Sequence, residues 1–199
     1  MKYRSLTRAT APVTEPVTLT EAKLHLRVDN NEDDQYILSL VSAAREWCET
    51  YLDRSLVYTQ WTMRLDRFPH EIELPRPPMA LAGTHTATTI TYTLETQATA
   101  TLAVTDYRVD RHATPGIVRT NYAGTWPGHL QDENSVSVTW WAGYGEDGTK
   151  VPRAIRNAIL LLVGHWYESR SAVLAGTISK EVEFGVKPLL DSCRWGPYR

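Results

Sequence analysis

EWCETYLDRSLVYTQWTMRLD, residues 46 to 66, contains the change of period that decides the fold. Up to Leu52 the apolar residues return every three or four positions. Ile37, Leu40, Val41, Ala44, Trp47, Cys48, Tyr51 and Leu52 predict a long amphipathic helix over 33–53 with one buried stripe. From Ser55 the period falls to two. Val57, Thr59, Trp61, Met63 and Leu65 alternate with Tyr58, Gln60, Thr62, Arg64 and Asp66, the pattern of a half-buried strand.

Outward from this point the two periods occupy different parts of the chain. EIEL, TTITYTLE, TATLAV, YRVD, GIVRT and SVSVTWW extend the strand pattern, broken by LPRPPMA, HATPG and WPG, and the frequent Thr is ordinary strand propensity. Helical period returns in VPRAIRNAILLLVGHWYESR. There Pro152 suits a first turn and Ile155, Ile159, Leu162 and Trp166 make a stripe, which Ala158, Leu161 and His165 widen to nearly all-round burial. Upstream, Thr18-Leu19-Thr20-Glu21 is a capping box, in which hydroxyl and carboxylate satisfy orphan amides reciprocally, and Leu19, Ala22, Leu24 and Leu26 follow it.

The expected class is therefore α+β. Two N-terminal helices and a long helix in the C-terminal half form a helical core (18–54 and 150–170), and a β-rich lobe is inserted at 55–149. Val41, Ala44 and Trp47 are expected to face Ile159, Leu162 and Trp166. Residues 1–17, with Pro12 and Pro16 and no periodicity, read as an extended arm. After Ser171 come a Gly- and Ser-containing link, a strand-like KEVEF, and a short helix through Pro188, Leu189, Leu190 and Trp195.

Composition narrows the function. The 199 residues, 42% hydrophobic and 22% charged, suffice for one substantial core with a smaller lobe. A net charge of −2 and a pI near 6.3 give no bulk positive field for nucleic acid or anionic membrane, so any DNA contact is local. Cys48 and Cys193 form no CxxC pair and read as idle thiols in a reducing compartment. With no apolar signal region and no run approaching the ~20 apolar residues of a bilayer span, the expectation is a soluble, unexported protein.

The chemistry-bearing motifs are weak. GYGEDG (143–148) has dinucleotide-fingerprint spacing after a strand. However, TKV delays the following helix, Glu146 and Asp147 repel phosphate, and Glu168 sits late in a helix instead of at a strand end. It reads as a turn from the β-lobe into the core helix. DNNEDD (29–34) lacks the central Gly and twelfth-position Glu of a calcium loop and reads as helix-start charge. His25, His70, His85, His112, His129 and His165 include no H-x-x-x-H pair; His165 and Glu168, at i, i+3, are at most half a metal site. Lys150, Arg153 and Arg156 beside Glu146 and Asp147 read as a mixed-charge interface. No catalytic, cofactor or metal residue is assigned. Seven tryptophans, several in TWPG, RWG and TWWAG turns, suit either cores or protein interfaces.

The order PVTLTEAKLHLRVD, acidic turn, AAREWCETYLDRSL, QWTMRLDRFP, LPRPP, DYRVD, VTWWAGYG, VPRAIRNAILLLVGHWYESR and a C-terminal helix resembles the head-tail connector, or adaptor, proteins of tailed bacteriophages and related gene-transfer particles, over about residues 16–195. The resemblance implies a structural virion protein, not an enzyme and without cofactor. Such proteins form a dodecameric ring beneath the portal in the neck, join head to stopper or tail, and line the channel through which DNA passes without sequence-specific binding. On this reading residues 171–199 form a docking segment onto the portal, with Phe184, Leu189, Leu190, Arg194 and Trp195 as anchors, ordering on a partner. The residues alone also admit a small nucleotide- or metal-dependent enzyme, or a stand-alone β-lobe binding module. Native size separates these from a ring former, and ligand-dependent stabilisation marks an enzyme.

Overall fold

The computed structural model describes residues 3–81, 83–169 and 180–194. It is α+β and divides into two compact units, Met1–Pro12 with Tyr58–Tyr144, and Val13–Val57 with Gly145–Arg199.

The regular elements described in the first unit are strands and one 3₁₀ turn, Gly83–Thr86. Its strands are β1 (Ser5–Thr10), β2 (Thr59–Leu65), β3 (Ile72–Leu74), β4 (Thr89–Thr93), β5 (Thr99–Thr101), β6 (Tyr107–Asp110), β7 (Gly116–Thr120) and β8 (Val136–Ala142). They form an antiparallel sheet in the order β1-β2-β8-β4-β5 and a second in the order β3-β7-β6. The alternation in β2 sets the register. Trp61, Met63 and Leu65 lie opposite Trp140, Val138 and Val136, all turned into a core shared with Ile72, Leu74, Ile90 and Val118. The other face carries threonine. Thr7 pairs with Thr62, Thr62 with Thr139, and Thr139 with Thr89, and the Thr62 and Thr139 hydroxyls are 2.9 Å apart. Cross-strand hydroxyl pairs of this kind add a few tenths of a kcal/mol each.

Within the extended arm, residues 5–10 form the edge strand β1, which pairs with β2 through a bulge between Arg8 and Thr10, a pairing the sequence did not signal. Leu6 is the one apolar residue of β1 that packs against the core, and a single apolar position carries no detectable period.

The second unit holds α1 (Leu19–Leu26), α2 (Asp34–Leu52), α3 (Arg153–Glu168) and α4 (Lys180–Asp191). The capping box forms as read: Glu21 N–H donates to Thr18 Oγ1 at 3.2 Å, and Thr18 N–H to Glu21 Oε2 at 2.9 Å. The stripe of α2 buries Ile37, Val41, Ala44, Cys48 and Leu52, and that of α3 buries Ile155, Ala158, Ile159, Leu162, Val163 and Trp166. Trp47 is half-buried and stacks on Tyr51 at 5.4 Å. Each fully buried Leu or Ile contributes roughly 1.5–3 kcal/mol over its exposed state.

Two departures from simple amphipathicity follow. KEVEF is not a strand but the start of α4, where Val186 and Leu190, four apart, are fully buried. An alternation five residues long cannot outweigh helical spacing that continues beyond it. The polar side of α2 also turns inward at Arg45 and Glu49, both nearly fully buried. Arg45 donates to Glu15 at 2.8 Å and to Glu49 at 2.9 Å; Glu15 also accepts from Ser42, and Glu49 from the Leu56 amide. Burial works against the Arg45 charge, and Glu15 and Glu49 outweigh it, so its pKa is raised. This network holds the segment before α1 against α2.

Candidate functional site

The Gly-rich turn is built to admit α3. Gly143 adopts a φ of 137°, reserved for glycine, and its N–H donates to the Pro78 carbonyl at 2.7 Å. A Cβ at Gly148 would lie 2.1 Å from the Pro16 carbonyl oxygen, so only glycine lets these two backbones approach. At Gly145 the nearest atom is the flexible Lys150 side chain, which makes it the least constrained of the three. Asp147 accepts from the Thr149 amide at 2.9 Å and from its hydroxyl, which hold the carboxyl below the usual carboxylate range. The amide that a fingerprint would turn toward pyrophosphate is thus given to the chain's own carboxylate, and α3 starts only at Arg153.

The acidic stretch is a staple with two open ends. Lys23 Nζ donates to Asn31 and Asp34, at 2.7 Å each, and Tyr167 OH donates to Asp33 at 2.6 Å, tying α1, α2 and α3 together. Asp29 and Glu32 are exposed. Glu168 is exposed and His165 half-buried; among the described residues His165 Nε2 has no hydrogen-bond partner, and no three His, Cys, Asp or Glu side chains cluster as metal ligands. Burial pushes the Cys48 thiol up to about 12, which leaves it inert. No helix among the described residues is long and apolar enough to cross a membrane.

The tryptophans described are packed. Trp140 is fully buried, Trp61 lies beneath the Arg8 and Arg76 guanidiniums, Trp126 stacks on Phe68 at 4.8 Å, and Trp141 meets His85 edge-on at 4.3 Å. The exposed apolar surface lies elsewhere. Tyr122 is 99% and Val104 75% exposed in the β-rich unit, with Leu81 and Tyr3 exposed to a lesser degree; in the helical unit Val13 is 95%, Leu24 80% and Leu161 40% exposed. Neither place stands out in the sequence, since Tyr122 lies in a polar loop and Leu24 in a helix too short to show a stripe.

The proposed C-terminal anchors divide. Leu190 is fully buried within the helical unit, which takes it out of any docking surface, and Leu189 is half-buried. Arg194 is exposed, with its guanidinium 5.7 Å from the Tyr51 ring centre, and Tyr51 OH donates to Asp191 at 2.9 Å. The Phe184 side chain and Trp195 lie outside the described residues. A groove between α1 and α3, about 570 Å³, has Leu24 and Leu160 as its apolar lining, with His25, Arg153, Asn157 and the paired Glu21 and Arg156 around it.

Comparison with known proteins bears out the sequence resemblance. Residues 16–108, just under half of the chain, match the model of the phage gp6-like head-tail connector protein family. No curated protein matches the sequence. Among solved structures, a chain from the neck of an empty gene transfer agent particle, computed with C6 symmetry, aligns with a TM-score of 0.77 at 20% identity, covering 98% of this chain and 97% of that one. A chain from the virion of the native gene transfer agent particle gives 0.75, and one from the native neck computed with C12 symmetry gives 0.71, at the same identity and coverage. The fold of this chain is therefore that of these neck-particle chains.

Proposed function

We propose that this chain is a head-tail connector, a structural protein of the virion neck. Twelve copies form a ring beneath the portal, join the DNA-filled head to the stopper or tail, and surround the channel that DNA crosses. The observation that carries this reading is end-to-end correspondence, through both the β-rich and the helical unit, with chains from neck particles, together with the connector-family match over residues 16–108.

The physics fits a ring subunit. Such a subunit uses two different lateral faces, a heterologous arrangement, and leaves apolar side chains exposed in the free chain. The near-neutral balance of 21 basic and 23 acidic residues suits a channel wall that must not grip phosphate. Docking onto the portal is assigned to residues 171–199, with Phe184, Leu189, Arg194 and Trp195 as anchors and Leu190 left to the core of the helical unit.

Disrupting the gene in a particle-producing host tests the reading. DNA-filled heads without tails, restored by supplying the chain in trans, are expected. Tailed, infectious particles made in its absence would overturn it.

A further inference from the structure

The strongest unexplained observation in the helical unit is the outer side of α3. Its sequence is apolar nearly all round, a pattern that calls for cover on every side, yet Leu161 is 40% exposed and Leu24 of α1 80% exposed. Between α1 and α3 the groove presents Leu24 and Leu160. Arg153 stands on its rim, exposed and paired with no carboxylate among the described residues. His25 lies against Gly164, where an added Cβ would come within 3.4 Å of its Nε2. The groove is thus apolar within, and its edge carries the Glu21–Arg156 ion pair and, beyond it, the Arg153 guanidinium, which leaves a net positive charge.

In the β-rich unit the matching feature is a protruding tip. Val104 and Tyr122 sit on two turns stitched together: Asn121 N–H donates to the Asp106 carbonyl at 3.1 Å, its side-chain amide donates to the Thr105 carbonyl, and Asp106 N–H returns to the Ala103 carbonyl at 2.9 Å. Gly124 N–H donates to the Asn121 carbonyl at 2.8 Å, and Ala123 takes a left-handed φ of 58°, so Tyr122 is held out on fixed backbone. The Asp106 carboxylate beside it has no cationic partner among the described residues. A rigid tyrosine on a preordered loop costs little entropy to bury, which is why such residues serve as interface anchors.

We infer that the Tyr122–Val104 tip of one copy seats in the Leu24–Leu160 groove of the next copy, with Asp106 facing Arg153. This rests on the ring reading and deepens it, because tip and groove are different patches, as a head-to-tail ring seam requires. The two match in three respects. The tip is apolar and so is the groove floor; the tip carries a carboxylate and the rim a guanidinium, neither with an oppositely charged partner among the described residues; and a groove of about 570 Å³ is of the size that accepts a large side chain.

The test uses the full chain with Cys193→Ser, leaving buried Cys48 in place. Tyr122→Cys and Leu24→Cys are made singly and together. Mild oxidation should cross-link the mixed single variants into dimers while leaving each alone uncross-linked, and should turn the double variant into a ladder of multimers. Leu24→Glu and Tyr122→Ser should each remove the ring from native mass spectra while the released monomer keeps the circular dichroism of the folded chain. Arg153→Asp and Asp106→Arg should each weaken the ring, and the two together should restore it. Rings that persist in Leu24→Glu, with no mixed cross-link, overturn this seam while the ring stands. A wild-type chain that is monomeric at all concentrations, with no cross-link, overturns both.

Discussion

Replacing Arg45 by Met should be among the most damaging single changes in the helical unit. The side chain is 5% exposed and lies between Glu15 at 2.8 Å and Glu49 at 2.9 Å, and Glu49 itself is 5% exposed. Met fills a similar volume, so the loss is electrostatic: the buried Glu49 and the half-buried Glu15 keep their charges and lose the guanidinium that lies within 2.9 Å of each. Removing one partner of a buried pair costs about 3–5 kcal/mol, against a total stability of roughly 5–15 kcal/mol for a domain. With a urea slope near ~2 kcal/mol/M, the midpoint should fall by about 2 M. Urea unfolding followed by helical circular dichroism measures this. Adding Glu49→Gln should return at least half of the loss, because the neutral amide still accepts the Leu56 N–H that Glu49 Oε1 holds at 2.9 Å. A loss below ~1 kcal/mol for Arg45→Met, the worth of a solvated surface pair, would show that water reaches the network and that the reasoning is wrong.

Leu162→Ala should cost about 2–5 kcal/mol, since Leu162 is fully buried, while Leu161→Ala should cost less than ~1 kcal/mol; equal losses in denaturant titration would contradict the assigned face of α3. Gly148→Ala should destabilise strongly, because its Cβ meets the Pro16 carbonyl, whereas Gly128→Ala, with open space around it, should stay within ~0.5 kcal/mol by thermal melt. The Glu21 carboxyl is held below its ordinary pKa by the Thr18 amide, helped by Arg156 and opposed by burial. A depressed folded pKa gives stability that is present above the unfolded value near ~4.3 and lost as pH falls through the folded one, so Glu21→Gln should flatten the acid limb of the stability curve; an unchanged limb would remove Glu21 from that role. Thermal-shift titration with NAD or ATP should give no saturable stabilisation, and a micromolar response to either would reopen the reading of GYGEDG.

How much of this was legible in the sequence depends on how many residues carried each signal. The α2 and α3 stripes repeat an apolar residue five or six times, and the β2 alternation repeats three times opposite an equally regular β8, so both units could be read from period alone. The capping box was legible because two polar groups at fixed spacing have few other uses. β1 was missed because its pairing is mainly backbone, which any sequence supplies, and α4 was half missed because its first five residues alternate. The candidate assembly surface was the least legible part. Tyr122 and Val104 become a tip only when Asn121 ties two loops sixteen residues apart, and Leu24 joins Leu160 only across two helices. The tryptophans suited either cores or interfaces in the sequence, and those described fill cores or stack on neighbours, while Tyr3 and Tyr122 are the exposed tyrosines among the described residues.

The central claim is the place of this chain in a particle, and the most direct measurement is an electron-microscopy reconstruction of the neck of particles that contain it, with its density identified by fitting the two units. The account predicts a closed ring of twelve copies of this chain between portal and tail, with DNA or its empty channel on the ring axis. Completed, tailed particles whose head-tail junction lacks this chain would contradict it.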